Sequence, residues 1–264
     1  MAIRGLTLFG RHFADYRDRY VMIGGVAAWI TVDDAGGAFR ATKDLDIVLV
    51  IEALDSDFVA HFWAFIRAGG YRIKQGDGER PVFFRFQHPS DEEYPVQIEL
   101  FTRAPEGLAV PEDTKLVPIP TDDSVSSLSA FLLDDAYYTF LLEGRQLLGD
   151  ITHISVDRLI PLKAKAWLNL SDAKANGEPV DSKNIKKHRN DVLALSQLLS
   201  DQPITLPSAV STDMSTFLER LALEEVNLKD LKLKGSLETI IDRLVAGFGL
   251  KPNEVGSRVE LAVS

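Results

Sequence analysis

The sequence predicts an α+β protein, a mixed β-sheet with flanking helices over residues 1–155 followed by a helical domain over 156–264. Short apolar runs bounded by glycine, proline and acidic residues recur at 21–23, 44–50, 81–87 and 95–103, the pattern of buried strands. From Val156 onward apolar residues recur at helical spacing instead, over 156–175, 183–199, 211–223 and 236–248. A chain of 264 residues, 45% hydrophobic and 26% charged, has an ordinary globular composition and is long enough for two modest domains.

Leu6, Phe9, Phe13 and Tyr16 stand at helical spacing, so a first amphipathic helix is expected over 6–20. Val21-Met22-Ile23 is a short buried strand, Gly24-Gly25 a tight turn, and 26–30 the start of a second helix. Asp33-Asp34 and Gly36-Gly37 mark 33–39 as a loop, and the next strand covers 44–50. Phe58, Phe62 and Phe65 give a helix that Gly69-Gly70 stops, because glycine takes the left-handed conformation most readily after a last helical turn. The runs 81–87 and 95–103 read as neighbouring antiparallel strands separated by the polar 88–93. Residues 115–119 add an edge strand, since their prolines lack the N–H that a central strand must donate. A polar, serine-rich connector at 121–129 lies near the soft boundary between the halves. Beyond it, 136–142 and 151–155, flanking Gly144 and Gly149, read as one more hairpin of the first domain.

Composition excludes several classes of function. No apolar run approaches the roughly 18 residues a membrane span needs. The N-terminus passes quickly into Arg11, Asp15 and Arg17 without a signal-peptide core, so a cytoplasmic location and no membrane partner are expected. The absence of cysteine removes disulfides, thiolate metal sites and cysteine nucleophiles. A net charge of -10 argues against indiscriminate nucleic-acid binding, although Lys183, Lys186, Lys187, His188 and Arg189 form one dense basic run. There is no Walker loop or dinucleotide fingerprint, and the histidines at 12, 61, 88, 153 and 188 show no ligand spacing.

The strongest chemical signal is Asp44-Leu45-Asp46 at the head of an apolar strand. Side chains two apart share a face, so two like charges lie close together where the chain otherwise wants burial, and a divalent cation is the simplest compensation. Upstream stands Ile23-Gly24-Gly25, where small residues before a helix let backbone N–H groups approach a phosphate. Downstream, Ile98-Glu99-Leu100 is a further apolar run carrying one acid.

This constellation resembles the nucleotidyltransferase superfamily, whose pattern is an apolar strand, Gly-Gly or Gly-Ser, a helix, a strand with Asp-x-Asp, and a third acid on a later strand. More closely it resembles the abortive-infection, toxin-type (AbiEii-like) nucleotidyltransferases, which read Gly-Gly-x-Ala and then Arg-x-Thr-x-Asp-hydrophobic-Asp. The matching residues are Gly24-Gly25-Val26-Ala27 and Arg40-Ala41-Thr42-Lys43-Asp44-Leu45-Asp46, with Lys163 and Asp191 answering to the family's lysine and aspartate on the first two helices of the second half. The chain departs from the pattern in a longer interval between Gly25 and Asp44, with 33–37 as the insertion, and in Glu99 standing for the commoner aspartate.

The resemblance implies a nucleotidyltransferase-type sheet and a helical domain that closes over the nucleotide. It also implies transfer of a nucleoside monophosphate from an NTP to an acceptor such as a tRNA end, with pyrophosphate released. Asp44, Asp46 and Glu99 would be the catalytic acids and hold two magnesium ions; Gly24, Gly25, Arg40, Lys163 and Asp191 would bind the nucleotide. Lys183, Lys186, Lys187 and Arg189 would meet tRNA, and an antitoxin protein would be a partner. Other roles stand beside these. Glu99 would complete the two-metal site or act as base toward the acceptor hydroxyl, and its competing role is a sheet acid paired with Arg85 across the ladder. Arg40 binds a phosphate or pairs with Asp44 or Asp46. Lys163, with Leu159, Ile160, Ala166 and Trp167 around it on the helix, contacts phosphate or packs its stem and snorkels to water. Asp191, four residues after Lys187, suits an exposed helix salt bridge. The rival functions are an antibiotic nucleotidyltransferase of the aminoglycoside or lincosamide kind, which needs an acidic pocket for a cationic drug, and a non-catalytic nucleotide-binding or antitoxin-partner module.

Overall fold

The computed structural model of the chain describes residues 3–40, 42–50, 55–76, 83–101, 117–119 and 134–250. The chain divides into two compact units, Met1–Ser155 and Val156–Ser264. Among the described residues no helix is long and apolar enough to cross a membrane.

The first unit is a mixed sheet with flanking helices, as the apolar runs predict. Its strands are β1 (Tyr20–Ile23), β2 (Asp44–Leu49), β3 (Arg72–Gly76), β4 (Phe83–Gln87), β5 (Gln97–Phe101), β6 (Val117–Ile119), β7 (Arg145–Leu148) and β8 (Ile151–Ile154). Their spatial order is β6-β3-β4-β5-β2-β1-β8-β7. Strand β1 runs antiparallel to β2 and parallel to β8, and β2 lies parallel to β5. Alternation along the strands sends Tyr20, Met22, Leu45, Ile47, Ile98 and Leu100 to one face, where they join the apolar side chains of α1 (Leu6–His12), α2 (Gly24–Asp34) and α3 (Ser56–Gly69). The centre is aromatic. Phe9 meets Phe65 edge to face at 5.5 Å, and Phe62 meets Phe86 of β4 at 5.6 Å. Truncating one such buried ring to alanine costs about 3–5 kcal/mol.

The opposite face of β2, β4 and β5 carries the acids, Asp44, Asp46 and Glu99, with Arg85, Gln87 and Gln97, next to the buried Val48 and Phe101. Helix α3 is closed at both ends by the means its sequence offers: the Asp55 carboxylate accepts from the Phe58 N–H at 2.8 Å, and Gly70 takes φ 62° at its C-terminus.

Several expectations are corrected. The first helix stops at His12 and gives way to a 3₁₀ turn over Ala14–Tyr16, so the apolar spacing of 6–20 serves two short pieces. Helix α2 continues through Asp34, so the first two residues of the expected 33–39 loop belong to its last turn. Strand β3 carries no alternating apolar pattern and was not foreseen. The expected hairpin of 136–142 with 151–155 is instead helix α4 (Asp135–Glu143) followed by the hairpin β7–β8, whose turn is Gly149 at φ 60°. Helix wins there because Asp134 caps it, accepting from the N–H groups of Ala136 and Tyr137, and because its buried Tyr137, Tyr138, Phe140 and Leu141 follow a 3.6-residue period. The edge strand within 115–119 is present as β6 beside β3. The connector at 121–129 and the outer ends of the expected strands, 81–82, 102–103 and 115–116, lie outside the described residues.

The second unit is helical, with α5 (Val156–Ala175), α6 (Ser182–Leu195), α7 (Ser208–Leu221) and α8 (Leu237–Gly247). Helix α5 packs against α6 and α7, where Trp167 meets Phe217 edge to face at 5.3 Å. Asp181 and Ser236 cap α6 and α8 by accepting from the N–H groups of Lys183 and Thr239.

Candidate functional site

Strand β1 runs straight into α2, and Gly24 makes the join. Its φ of 64° lies in the left-handed region, and a Cβ at this position would sit 1.8 Å from Asp46 Oδ2. Only glycine meets both demands. Antiparallel pairing sets Ile23 opposite Asp46, so the carboxylate lies directly beneath the start of the helix, where the Gly25 N–H donates to Oδ2 at 3.3 Å. A Cβ on Gly25 would meet Thr42 Oγ1 at 2.8 Å and lie 3.7 Å from Nη2 of Arg40. The Arg40 guanidinium also sits over the Phe39 ring, 5.4 Å from its centroid. Gly24, Gly25, Arg40, Thr42 and Asp46 therefore come together around the N-terminus of an 11-residue helix.

Asp44 shares the face of Asp46, and both are half-buried. The register continues laterally in two rungs: Asp46 faces Glu99 and Glu99 faces Arg85, while Asp44 faces Gln97 and Gln97 faces Gln87. Glu99 Oε1 accepts from Arg85 Nε at 2.8 Å and from Gln97 Nε2 at 2.8 Å, and Gln97 Oε1 accepts from Gln87 Nε2 at 2.5 Å. The ladder pair of Arg85 and Glu99 is thus formed. Among the described residues, no group of three or more His, Asp or Glu side chains is disposed to hold a metal ion. Asp44 and Asp46 by themselves remain suited to magnesium, which takes oxygen ligands and uses one or two carboxylates alongside water and substrate phosphates.

Lys163 and Asp191 meet each other within the second unit. Lys163 Nζ donates to Asp191 Oδ2 at 2.7 Å, and the two side chains are 5% and 3% exposed. The ammonium is therefore held inside by a carboxylate rather than carried to water. Asp191 turns inward, away from the exposed helix pairing with Lys187 that its spacing permits. In the basic run Lys183, Lys186 and Lys187 are exposed, whereas Arg189 is buried and donates to Glu224 Oε2 at 2.5 Å, so it is removed from the surface lysines.

The histidines lie apart from this chemistry. His12 and His61 stack at 4.0 Å, each ring Nε2 against the other's carbonyl, and burial lowers the pKa of His12. His153 on β8 is buried with Nδ1 at the Ile154 carbonyl; burial lowers its pKa too, against opposing contributions from that carbonyl and Asp34. The glutamine rung beside the acids of the first unit and the Lys163–Asp191 tie within the second unit are features that the sequence did not reveal. Matching strand parity of Gln97 with Glu99 is a signal for the first; nothing local signals a pair 28 residues apart.

No family model matches the chain. No curated protein matches it. Among solved structures it is similar to an antigenic nucleotidyltransferase-like protein from Paracoccidioides brasiliensis, with 13% sequence identity, a TM-score of 0.48, and coverage of 95% of this chain and 94% of that chain.

Proposed function

We propose that the first unit is a magnesium-dependent nucleotidyltransferase that moves a nucleoside monophosphate from an NTP onto an acceptor hydroxyl, releasing pyrophosphate. One observation carries this assignment: Gly24 at φ 64° brings the backbone N–H groups that open α2, the Arg40 guanidinium and the carboxylate of Asp46 to a single point on the sheet. A helix N-terminus with small residues and a nearby guanidinium favours a polyphosphate. The carboxylates beside it would repel that phosphate without a cation, so the same point calls for both ligands together.

Asp44 and Asp46 would hold magnesium, which supplies neutralisation of the triphosphate and lowers the pKa of an attacking hydroxyl. The chain's own contribution is positional. Gly24 and Gly25 would keep the phosphate approach open, the Gly25 N–H orients Asp46, and Arg40, beside Gly25, would offset negative charge on the phosphates. For the acceptor we favour an RNA end, supported by the exposed Lys183, Lys186 and Lys187 on one helix of an otherwise acidic chain. The toxin-type assignment and an antitoxin partner rest on the motif resemblance.

The test is transfer of α-labelled nucleotide from each of the four NTPs to total RNA with magnesium, using wild type and Asp46→Ala. Label from a preferred NTP should enter RNA with the wild type and not with the variant. No incorporation from any NTP, or undiminished incorporation by Asp46→Ala, overturns the assignment.

A further inference from the structure

Strand β7 stands at one edge of the sheet, with β8 as its neighbour on the inner side. The turn Gly149-Asp150 sets Leu148 against Ile151, and the Ser155 N–H donates to the Gly144 carbonyl at 2.8 Å. Antiparallel ladders alternate between hydrogen-bonded and open pairs, so Gly144, Gln146 and Leu148 turn their backbone groups toward β8, while Arg145 and Leu147 turn theirs outward. Among the described residues no strand pairs with that outer edge. Every residue of β7 is exposed, Leu147 by 57% and Leu148 by 40%, and these are two of the three large apolar side chains so exposed among the described residues. Lysine, proline and bulges are the usual guards of such an edge, and β7 has none of them. Its one charge is drawn back onto its own chain: the Arg145 guanidinium donates to the carbonyls of Leu142 at 3.0 Å and Asp18 at 3.5 Å.

We propose that this edge pairs with the same edge of a second copy of the chain, β7 antiparallel to β7, joining two sheets into one across a two-fold axis at Gln146. The strand is complementary to itself in one register. With Arg145 facing Leu147 of the second copy, the outward N–H and C=O of both residues on both copies are all satisfied. Sliding by one pleat in one direction sets Arg145 against Arg145, like charges directly opposite each other. Sliding the other way sets Arg145 against Gly149, whose φ of 60° belongs to the turn and cannot continue a strand. In the favoured register the aliphatic stem of Arg145 covers Leu147 of the other copy, and Leu148 lies opposite Gly144, where no side chain obstructs it. The junction is short, at the small end of specific interfaces, so the dimer is in equilibrium with monomer.

Sedimentation equilibrium of the full chain over a wide range of concentration should show that monomer–dimer equilibrium. Leu147→Lys sets a second cation against Arg145 of the other copy and should weaken dimerisation by about tenfold or more, whereas Leu223→Lys, at the third exposed leucine, should leave it unchanged. The chain has no cysteine, so a single introduced one reports the register. Open antiparallel pairs bring Cα atoms to about 4.5 Å, within disulfide range, so Gln146→Cys should crosslink two copies under mild oxidation with copper phenanthroline far faster than Leu147→Cys. Crosslinking needs no charged substitution and decides the question by itself should Leu147→Lys lose its fold. Faster crosslinking through Leu147→Cys, or a folded Leu147→Lys that dimerises as tightly as wild type, overturns this pairing. A wild type that stays monomeric throughout overturns the proposal and leaves the edge to a different chain.

Discussion

Replacing Lys163 with methionine keeps the apolar stem, removes the ammonium, and leaves the Asp191 carboxylate inside the helical unit. The pair is joined at 2.7 Å with both side chains almost wholly shielded, so water cannot take over the lost partner's role. Breaking a buried ion pair from one side costs about 3–5 kcal/mol, since the remaining charge is uncompensated. The pair between Arg220 and Asp172 provides the internal contrast: those side chains are 43% and 54% exposed, and such surface pairs contribute about 0–1 kcal/mol. Urea unfolding followed by circular dichroism should therefore rank Lys163→Met far below Arg220→Met in stability. Lys163→Met/Asp191→Leu should recover most of the loss, because replacing both charges with apolar groups is often neutral. A single variant within about 1 kcal/mol of wild type would show that the carboxylate finds water or another donor, and the burial argument would fail. The double variant is also the proper background for asking whether Lys163 touches nucleotide: turnover unchanged there removes it from the site.

Further outcomes are expected at other positions. Gly24→Ala should cost more than the roughly 1–2 kcal/mol of a left-handed L-residue, because its methyl also displaces the Asp46 carboxylate, and it should abolish nucleotide transfer; full activity would place the phosphate elsewhere. Magnesium at about 100 times its Kd should stabilise the wild type by roughly 2.7 kcal/mol and leave Asp44→Ala/Asp46→Ala unmoved, as read by thermal shift; equal shifts would locate the ion at other residues. Burial lowers the His12 and His153 pKa values below the ordinary 6.5, so the unfolded chain binds more protons as acid is added. Their stabilising contribution is complete above pH 6.5 and is lost as pH falls through that value and then through the lower folded values; His153→Asn should flatten the dependence, and parallel slopes would discount that histidine. Asp134→Ala should cost about 1 kcal/mol by uncapping α4, measured in the same unfolding assay, with no loss if water caps the helix equally well.

The strands that carry the acids were legible because their alternation and apolar content agree with their buried setting; β1, β2 and β5 lie where the runs around Met22, Ile47 and Ile98 indicate. Helix α5 was equally plain despite Pro161 within it, since Leu159, Ile160, Leu162 and Trp167 keep the helical period. Strand β3 was not, because its Arg-Ile-Lys-Gln-Gly has little β-propensity and its pairing with β4 supplies what local sequence lacks. Helix α4 was misread because its tyrosines and phenylalanine favour strands intrinsically, against the Asp134 cap and the helical period of its apolar residues. At the candidate site, the Gly-Gly pair and the paired aspartates stood out by residue type and spacing, although the glycines open helix α2 and do not form the expected turn before it. The orientation of each carboxylate did not stand out: it depends on which donor stands across the ladder, as Arg85 does for Glu99, and on contacts far apart in sequence, as for Lys163 with Asp191.

The central strand β1 finishes its hydrogen bonding with β8, a partner delivered late. The Tyr20 hydroxyl donates to the carbonyl of Asp150, 130 residues along the chain, and Met22 pairs with His153. At a synthesis rate of about 5–20 residues per second, β1 waits on the order of 10 s between leaving the ribosome and meeting that partner. Throughout that interval one side of a four-residue, wholly apolar-faced strand is an open template for other chains. Expression yield should therefore respond to translation speed and to holdase chaperones more than the stability of the finished protein would indicate, with slower synthesis over residues 24–150 lengthening the exposure.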